Sequence, residues 1–337
     1  MKRLGPFLAS AAAGALFVLA IPLTGLLDHG VHSGAGGFVD GYNHLAARQS
    51  IALRSAMTAV PDLDDPKMVQ RGAGHFQLVC AACHGSPEAP PAQLARDLSP
   101  APPQLTYWRP DARLFQTVKY GIRHSAMPAW PTDMRDDEVW DMVAFLRRLP
   151  TMDAETYALL AHGGAEPGSC ASCHGPEGQG RDGAFPRLDI QSPQYIADAL
   201  AAFRDGSRPS GTMMSAARGL TDADIAEFAA LYGRSVSLPP GGDNEGGKTI
   251  ANEGIVSRDI PSCERCHGQT ARPDFPRLAG QSADYLRRQL QLFQQYGARR
   301  GGRHAEIMAK TVEDALEEGP HRLEPEAIEA LAEYYGD

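Results

Sequence analysis

Cys80-Ala81-Ala82-Cys83-His84 recurs as Cys170-Ala171-Ser172-Cys173-His174 and as Cys263-Glu264-Arg265-Cys266-His267, and the three pentapeptides use all six cysteines of the 337-residue chain. Their first cysteines stand 90 and 93 residues apart. In each copy two thiols are spaced to add to the two vinyl groups of a haem while the adjacent imidazole reaches its iron, which is what this spacing means in c-type attachment. On a helix, positions i, i+3 and i+4 share one face and meet a single flat ligand. Structural zinc and a thioredoxin-like dithiol are the alternatives, but neither needs a histidine directly after the second cysteine three times over. The sequence therefore predicts three covalently held haem c groups. Cys80, Cys83, Cys170, Cys173, Cys263 and Cys266 are the attachment points, His84, His174 and His267 the proximal iron ligands, and no cysteine is left for a disulfide.

Outward from these motifs, the length leaves one small domain per haem, below the usual mode of about 100–150 residues. A bound porphyrin supplies core volume and a cross-link where apolar side chains are few. At the other extreme, Lys2 and Arg3 precede an uncharged, mostly apolar stretch of 24 residues, Leu4 to Leu27. A secretory apolar region runs to roughly 7–15 residues and a bilayer span needs about 20. The expectation is an uncleaved transmembrane anchor over residues 1–27 rather than a removed signal peptide. The basic residues stay in the cytoplasm and the rest lies outside a bacterial inner membrane, in the periplasm. Residues 28–64 form a tether, glycine-rich at first and helical in pattern from Asn43 to Met57; its His29, His32 and His44 read as solvated side chains.

Three repeats follow, over 65–150, 151–236 and 250–337, with a linker at 237–249. The last two are related beyond the haem motif. Phe185-Pro186-Arg187-Leu188 with Gln191-Ser192 and Tyr195 matches Phe275-Pro276-Arg277-Leu278 with Gln281-Ser282 and Tyr285, and a long fixed period means duplicated domains. Each stretch runs into a helical pattern, Ile196, Leu200 and Phe203 in one and Leu286, Leu290 and Phe293 in the other. Each repeat closes with a helix, from Asp136 to Leu149, Thr221 to Tyr232 and Pro325 to Tyr335, expected to pack on the helix bearing the haem motif. Gly72 and Phe76 offer a close approach and an aromatic plug for that packing. The second repeat lacks this pair, and Gly163, Gly164, Pro167 and Gly168 predict a shortened or broken leading helix. The linker, from Ser237 to Gly247, is read as irregular and leaves the third repeat room to move.

The sixth iron position decides between electron transfer and chemistry. Met127, Met213 and Met308 lie 43, 39 and 41 residues beyond His84, His174 and His267. Met214 is nearly as good as Met213, and His124 and His304 compete nearby. Met142 belongs to a closing helix, where a thioether more often fills a core gap. The common offset favours His/Met ligation, which suits high-potential cytochromes.

On these residues each repeat resembles a class I cytochrome c domain, with its haem motif early, its methionine late and a closing helix. The resemblance covers Lys67 to Asp337. The second and third repeats resemble tandem dihaem periplasmic cytochromes, through Cys-x-x-Cys-His-Gly, Phe-Pro-Arg-Leu and Gln-Ser-x-x-Tyr. The first resembles the single-haem domains of membrane-anchored bacterial cytochromes, through Gly72, Phe76, the Cys80 to Gly85 stretch and Met127-Pro128-Ala129-Trp130. The resemblance implies an all-α chain of three tandem domains after an N-terminal transmembrane anchor. It also implies a proline carbonyl that accepts a hydrogen bond from each proximal histidine, which Pro103, Pro186 and Pro276 match. An acidic insertion, Thr311 to Arg322, departs from the pattern. Arg187 and Arg277 read equally as partners of haem propionates and as solvated side chains.

An iron held on both faces has no vacant position for a substrate, and no dinucleotide fingerprint or paired catalytic groups appear. The chain therefore reads as a non-catalytic electron carrier. Its net charge of −9, from 32 basic and 41 acidic residues, speaks against nucleic-acid binding. Three functions stand open. One is a membrane-tethered relay from a quinol-oxidising complex to a terminal oxidase, and the second is the cytochrome subunit of a periplasmic dehydrogenase. The third is a haem enzyme or gas sensor with one open axial site.

Overall fold

The computed structural model describes Gly14 and residues 37–270, 272–312 and 323–336. Gly14 apart, the apolar stretch read as an anchor lies outside them, as do His29, His32 and residues 313–322 of the acidic insertion. Among the described residues there is no strand, only isolated bridges such as Arg181 with Phe185. No described helix is long and apolar enough to cross a membrane. The chain is all-α, as expected.

In the first repeat and its tether the helices are α1 (Gly37–Ser55), α2 (Pro66–His75), α3 (Ala81–His84), α4 (Gln93–Arg96), α5 (Asp111–Tyr120) and α6 (Asp136–Leu146). The second holds α7 (Ala154–Ala161), α8 (Cys170–His174), α9 (Pro193–Arg204), α10 (Gly211–Ala217) and α11 (Asp222–Tyr232). The third holds α12 (Glu245–Glu253), α13 (Glu264–His267), α14 (Ala283–Tyr296), α15 (Ala305–Val312) and α16 (Pro325–Tyr335).

Helix α2 starts where Asp65 accepts from Lys67 N at 2.9 Å and proline takes the first helical position, which needs no N–H donor. A wider turn, Phe76–Cys80, carries it into α3 and the first haem motif. At Gly72 it crosses α6 so closely that a Cβ would fall on Asp141 O and lie 2.6 Å from Phe145 Cβ. Phe76, Phe145, Val143 and Met142 are buried around that crossing, with Phe76 and Phe145 centroids 5.1 Å apart. Met142 fills the core, as read. The tether helix α1 begins at Gly37, earlier than its pattern indicates, and lies on α5.

The second repeat departs from expectation in an informative way. Its leading helix is short, ending before Gly163 and Gly164 at positive φ, but it does not pack on its own closing helix. Instead α7 lies on α2: Tyr157 and Ala161 are buried in the first repeat's core, and Tyr157 Oη donates to Gln77 Oε1 at 2.6 Å. Helix α11 packs on α9, and in the third repeat α16 packs on α12, which is separate from the motif-bearing α13. Among the described residues, the closing helix packs along a helix continuous with the motif in the first repeat, whereas in the third α16 reaches the motif helix through Tyr335 Oη, which donates to Glu264 Oε1 at 2.8 Å.

The linker is a second correction, because α12 begins inside it at Glu245. Asn244 Oδ1 accepts from Gly247 N at 2.8 Å and caps the helix. A Cβ on Gly247 would fall on Ala330 O and lie 2.7 Å from Tyr334 Cβ, so the absent side chain lets α12 and α16 approach closely, which offsets the low helix propensity of glycine.

Serines at the starts of α9 and α14 cap them, Ser192 Oγ accepting from Tyr195 N at 3.0 Å and Ser282 Oγ from Tyr285 N at 3.3 Å. Both hydroxyls also donate across to the other repeat, Ser192 to Pro273 O and Ser282 to Gly183 O. The first repeat is tied in by charge: Arg71 bridges Asp141 and Asp284 at 2.8 Å each, and Arg288 reaches Asp137 at 2.7 Å.

Candidate haem sites

Each Cys-x-x-Cys-His motif forms a short helical turn ending at a glycine, so both thiols and the imidazole fall on one side of that turn. All six cysteines are free and partly exposed. The three histidines share one partner type. His84 Nδ1 lies 2.8 Å from Pro103 O, His174 Nδ1 2.9 Å from Pro186 O and His267 Nδ1 2.8 Å from Pro276 O. A carbonyl can only accept, so Nδ1 carries the proton and Nε2 keeps its lone pair for a metal. Burial lowers the pKa of His174 and of His267, against the opposing pull of the proline carbonyls, and holds both rings in the neutral form that ligates.

One continuous cavity serves the second and third motifs. Cys170, Cys173 and His174 line it, and so do Cys263, Cys266 and His267. Between them the walls are mostly apolar, with Leu200 and Phe203 from α9 and Leu290 and Phe293 from α14. Those four belong to the two matching periodic stretches of the sequence. Arg208, buried, reaches Tyr195 Oη at 3.3 Å and Tyr285 Oη at 3.2 Å, equivalent tyrosines of the two repeats. Paired thiols, a neutral imidazole and flat apolar walls fit a haem. They do not fit zinc: among the described residues no three His, Cys, Asp or Glu side chains converge as a metal group.

Met213, on α10, and Met308, on α15, line this cavity. Met214, the neighbouring methionine, is not among the lining residues, and its methyl group lies 3.6 Å from where a Cβ on Gly206 would stand. Met127 sits in a loop closed by a bond from Ile122 N to Met127 O at 3.1 Å. His304 lines the same cavity, stacked on Phe275 at 4.5 Å with its Nε2 2.9 Å from Asp274 Oδ2. His124 is exposed at a φ of 59°, and His44 is exposed on α1. Arg187 pairs with Asp189 at 2.7 Å, and Arg277 donates to Gly268 O.

Two features were not read from the sequence. His75 is buried beside the second site with its ring 4.4 Å from Trp130. Where Gly74 stands, a Cβ would lie only 3.0 Å from Cys173 Sγ, so the first repeat's leading helix touches the second haem motif. Nothing local marks either contact, because both are made between repeats.

Residues 67–146 match the family described as cytochrome c oxidase, cbb3-type, subunit III. The chain is 31% identical over 215 residues to the thiosulfate dehydrogenase electron acceptor of Stutzerimonas stutzeri, covering 58% of this chain and 92% of that one. It is 36% identical over 146 residues to the protein of the same description in Thiomonas intermedia, covering 40% and 67%. Against the solved cytochrome c4 of Acidithiobacillus ferrooxidans it is 28% identical, with a TM-score of 0.40 over 49% of this chain and 96% of the other. The motif chemistry, the all-helical fold and the extent of these sequence matches place the chain among the class I c-type cytochromes, as a multihaem member that carries electrons.

Proposed function

We propose that this protein is a three-haem electron relay tethered to the inner membrane, with its haem domains in the periplasm. The observation that carries it is the threefold recurrence of one arrangement, two cysteines and a histidine whose Nδ1 donates to a proline carbonyl. Bound haem supplies reversible one-electron chemistry, and the protein sets its potential through axial ligands and burial. His84, His174 and His267 are the proximal ligands in this reading, with Met127, Met213 and Met308 opposite them. Pro103, Pro186 and Pro276 orient the imidazoles. The first repeat, which matches an oxidase subunit family, passes electrons towards a terminal oxidase.

A second reading makes the chain the electron acceptor of a periplasmic dehydrogenase, and two relatives bearing the name thiosulfate dehydrogenase electron acceptor favour it. One preparation tests both. The chain is purified from membranes in mild detergent, its intact mass is taken and its bound proteins are identified. Three haem additions with no alkylatable thiol are expected, and a chain bearing fewer haems defeats the proposal. A stoichiometric dehydrogenase selects the second reading over the oxidase relay.

A further inference from the structure

The first repeat reaches into the ligand helix of the second. Glu138 lies on α6, buried, and its carboxylate ends on α10, the helix that carries Met213. Ser210 Oγ donates to Glu138 Oε1 at 2.6 Å, and Gly211 N donates to Oε2 at 2.6 Å. Ser210 Oγ in turn accepts from Met213 N at 3.1 Å. A chain of two hydrogen bonds thus runs from a carboxylate of one repeat to the backbone of the methionine in the next. Arg135 holds the carboxylate from behind at 2.8 Å, and the Trp130 ring sits so close to Gly211 that a Cβ there would overlap its Nε1. Both Glu138 and Trp130 belong to the first repeat.

We propose that Glu138 is a positioning residue for the second haem, fixing the place and pitch of Met213 so that the first repeat sets the second repeat's axial bond. The proposal rests on reading Met213 as that haem's axial ligand. The physical basis is that an axial thioether is a weak ligand whose bond depends on where its backbone is held, and groups behind a ligand tune it strongly. Charge-assisted bonds of this length in a buried setting resist displacement.

The test uses the full-length, three-haem protein. Each methionine-ligated ferric haem contributes a thioether-to-iron charge-transfer band, and potentiometry gives three midpoints. Glu138→Ala is expected to lose or displace about one-third of the band, one haem of three, and to lower one midpoint while the other two hold. Ser210→Ala, which keeps Glu138 and Arg135 in place and removes only the connecting hydroxyl, is expected to act in the same direction, and it decides the matter if Glu138→Ala does not fold. Met213→Ala is run alongside. If it leaves the band whole, Met213 is not the ligand, and the axial reading falls together with this proposal. If it removes one-third of the band while Ser210→Ala leaves band and midpoints unchanged, the ligand reading stands and the positioning role of Glu138 is overturned.

Discussion

Gln191 and Gln281 read each other's repeat through the same pair of bonds. Gln191 Nε2 donates to Arg277 O and its Oε1 accepts from Arg277 N, both at 2.9 Å; Gln281 Nε2 donates to Arg187 O at 3.0 Å and its Oε1 accepts from Arg187 N at 2.7 Å. Each amide therefore satisfies one residue's N–H and C=O together, as a neighbouring strand would. Each of these bonds has its counterpart 90 residues away, and so do the serine bonds to Pro273 and Gly183. Self-complementary contacts of this kind define two-fold dimers, and here one chain makes both halves.

Gln281→Ala leaves both backbone groups of Arg187 without these partners in a buried seam, since Gln281 is 2% exposed. The expected cost is about 1–3 kcal/mol, with a like cost for Gln191→Ala. Denaturant unfolding followed by haem absorbance measures it. A change below about 0.5 kcal/mol would mean that water replaces the amide freely and the seam is open.

Two glycine-to-alanine changes should have opposite signs. At Gly72 the added methyl lands on Asp141 O and Phe145, so α2 and α6 must separate, at about 1–3 kcal/mol. At Gly41, in α1, nothing lies within 4 Å of the new Cβ, and alanine should stabilise by about 0.5–1 kcal/mol through the unfolded chain. Thermal melts of the two variants against the parent give both signs. Destabilisation by both would remove the close crossing as the cause.

The contrast between these contacts marks what the sequence alone discloses. The attachment cysteines, the histidines and the cavity-lining leucines follow from local spacing, because one helix turn or one periodic face fixes them. The Gln-Ser pair was legible as a repeat signature, but its partner strand of backbone was not, since a hydrogen bond to Arg277 N leaves no mark on residue 277. For the same reason α7 was read with its sequence neighbours, while Tyr157 is in fact buried against Phe76 of the preceding repeat, ring centroids 6.3 Å apart. Interfaces between duplicated domains are written in pairs of distant residues. A periodic pattern reports only that a face is covered, not by what.

Asp141 holds the first repeat to the third. It accepts from Arg71 Nε at 2.8 Å and from Arg288 at 3.1 Å, and Arg71 continues to Asp284 at 2.8 Å. Asp141 is buried and the two arginine side chains are only 13% and 16% exposed. Removing the acid leaves Arg71 paired with Asp284 and Arg288 with Asp137 but takes one acceptor from each buried guanidinium, so Asp141→Ala is expected to cost about 1–3 kcal/mol. Hydrogen exchange should then rise in α14 around Arg288 as well as in α6. Faster exchange confined to α6 would show that the charge cluster does not join the repeats.

His75 supplies a pH dependence with a definite sign. It is 4% exposed, its Nδ1 has no hydrogen-bond partner, and burial pushes its pKa down to about 3. In the unfolded chain the imidazole titrates near its ordinary value of about 6.5. Above that value both states are neutral and the stability is fully present. As pH falls below it, the unfolded chain takes up a proton that the folded protein refuses, and stability drops by about 1.4 kcal/mol per pH unit until the folded value is reached. The tilted contact with Trp130, at 33°, suits a neutral aromatic ring, so His75→Phe keeps the packing and removes the proton. Between pH 6.5 and 5 the variant should gain about 2 kcal/mol relative to the parent, a difference in which every other titrating group cancels. Denaturation midpoints at the two pH values give that difference. Parallel losses in parent and variant would mean that His75 takes up a proton without unfolding, and that the seam between the first and second repeats opens to water more readily than its burial implies.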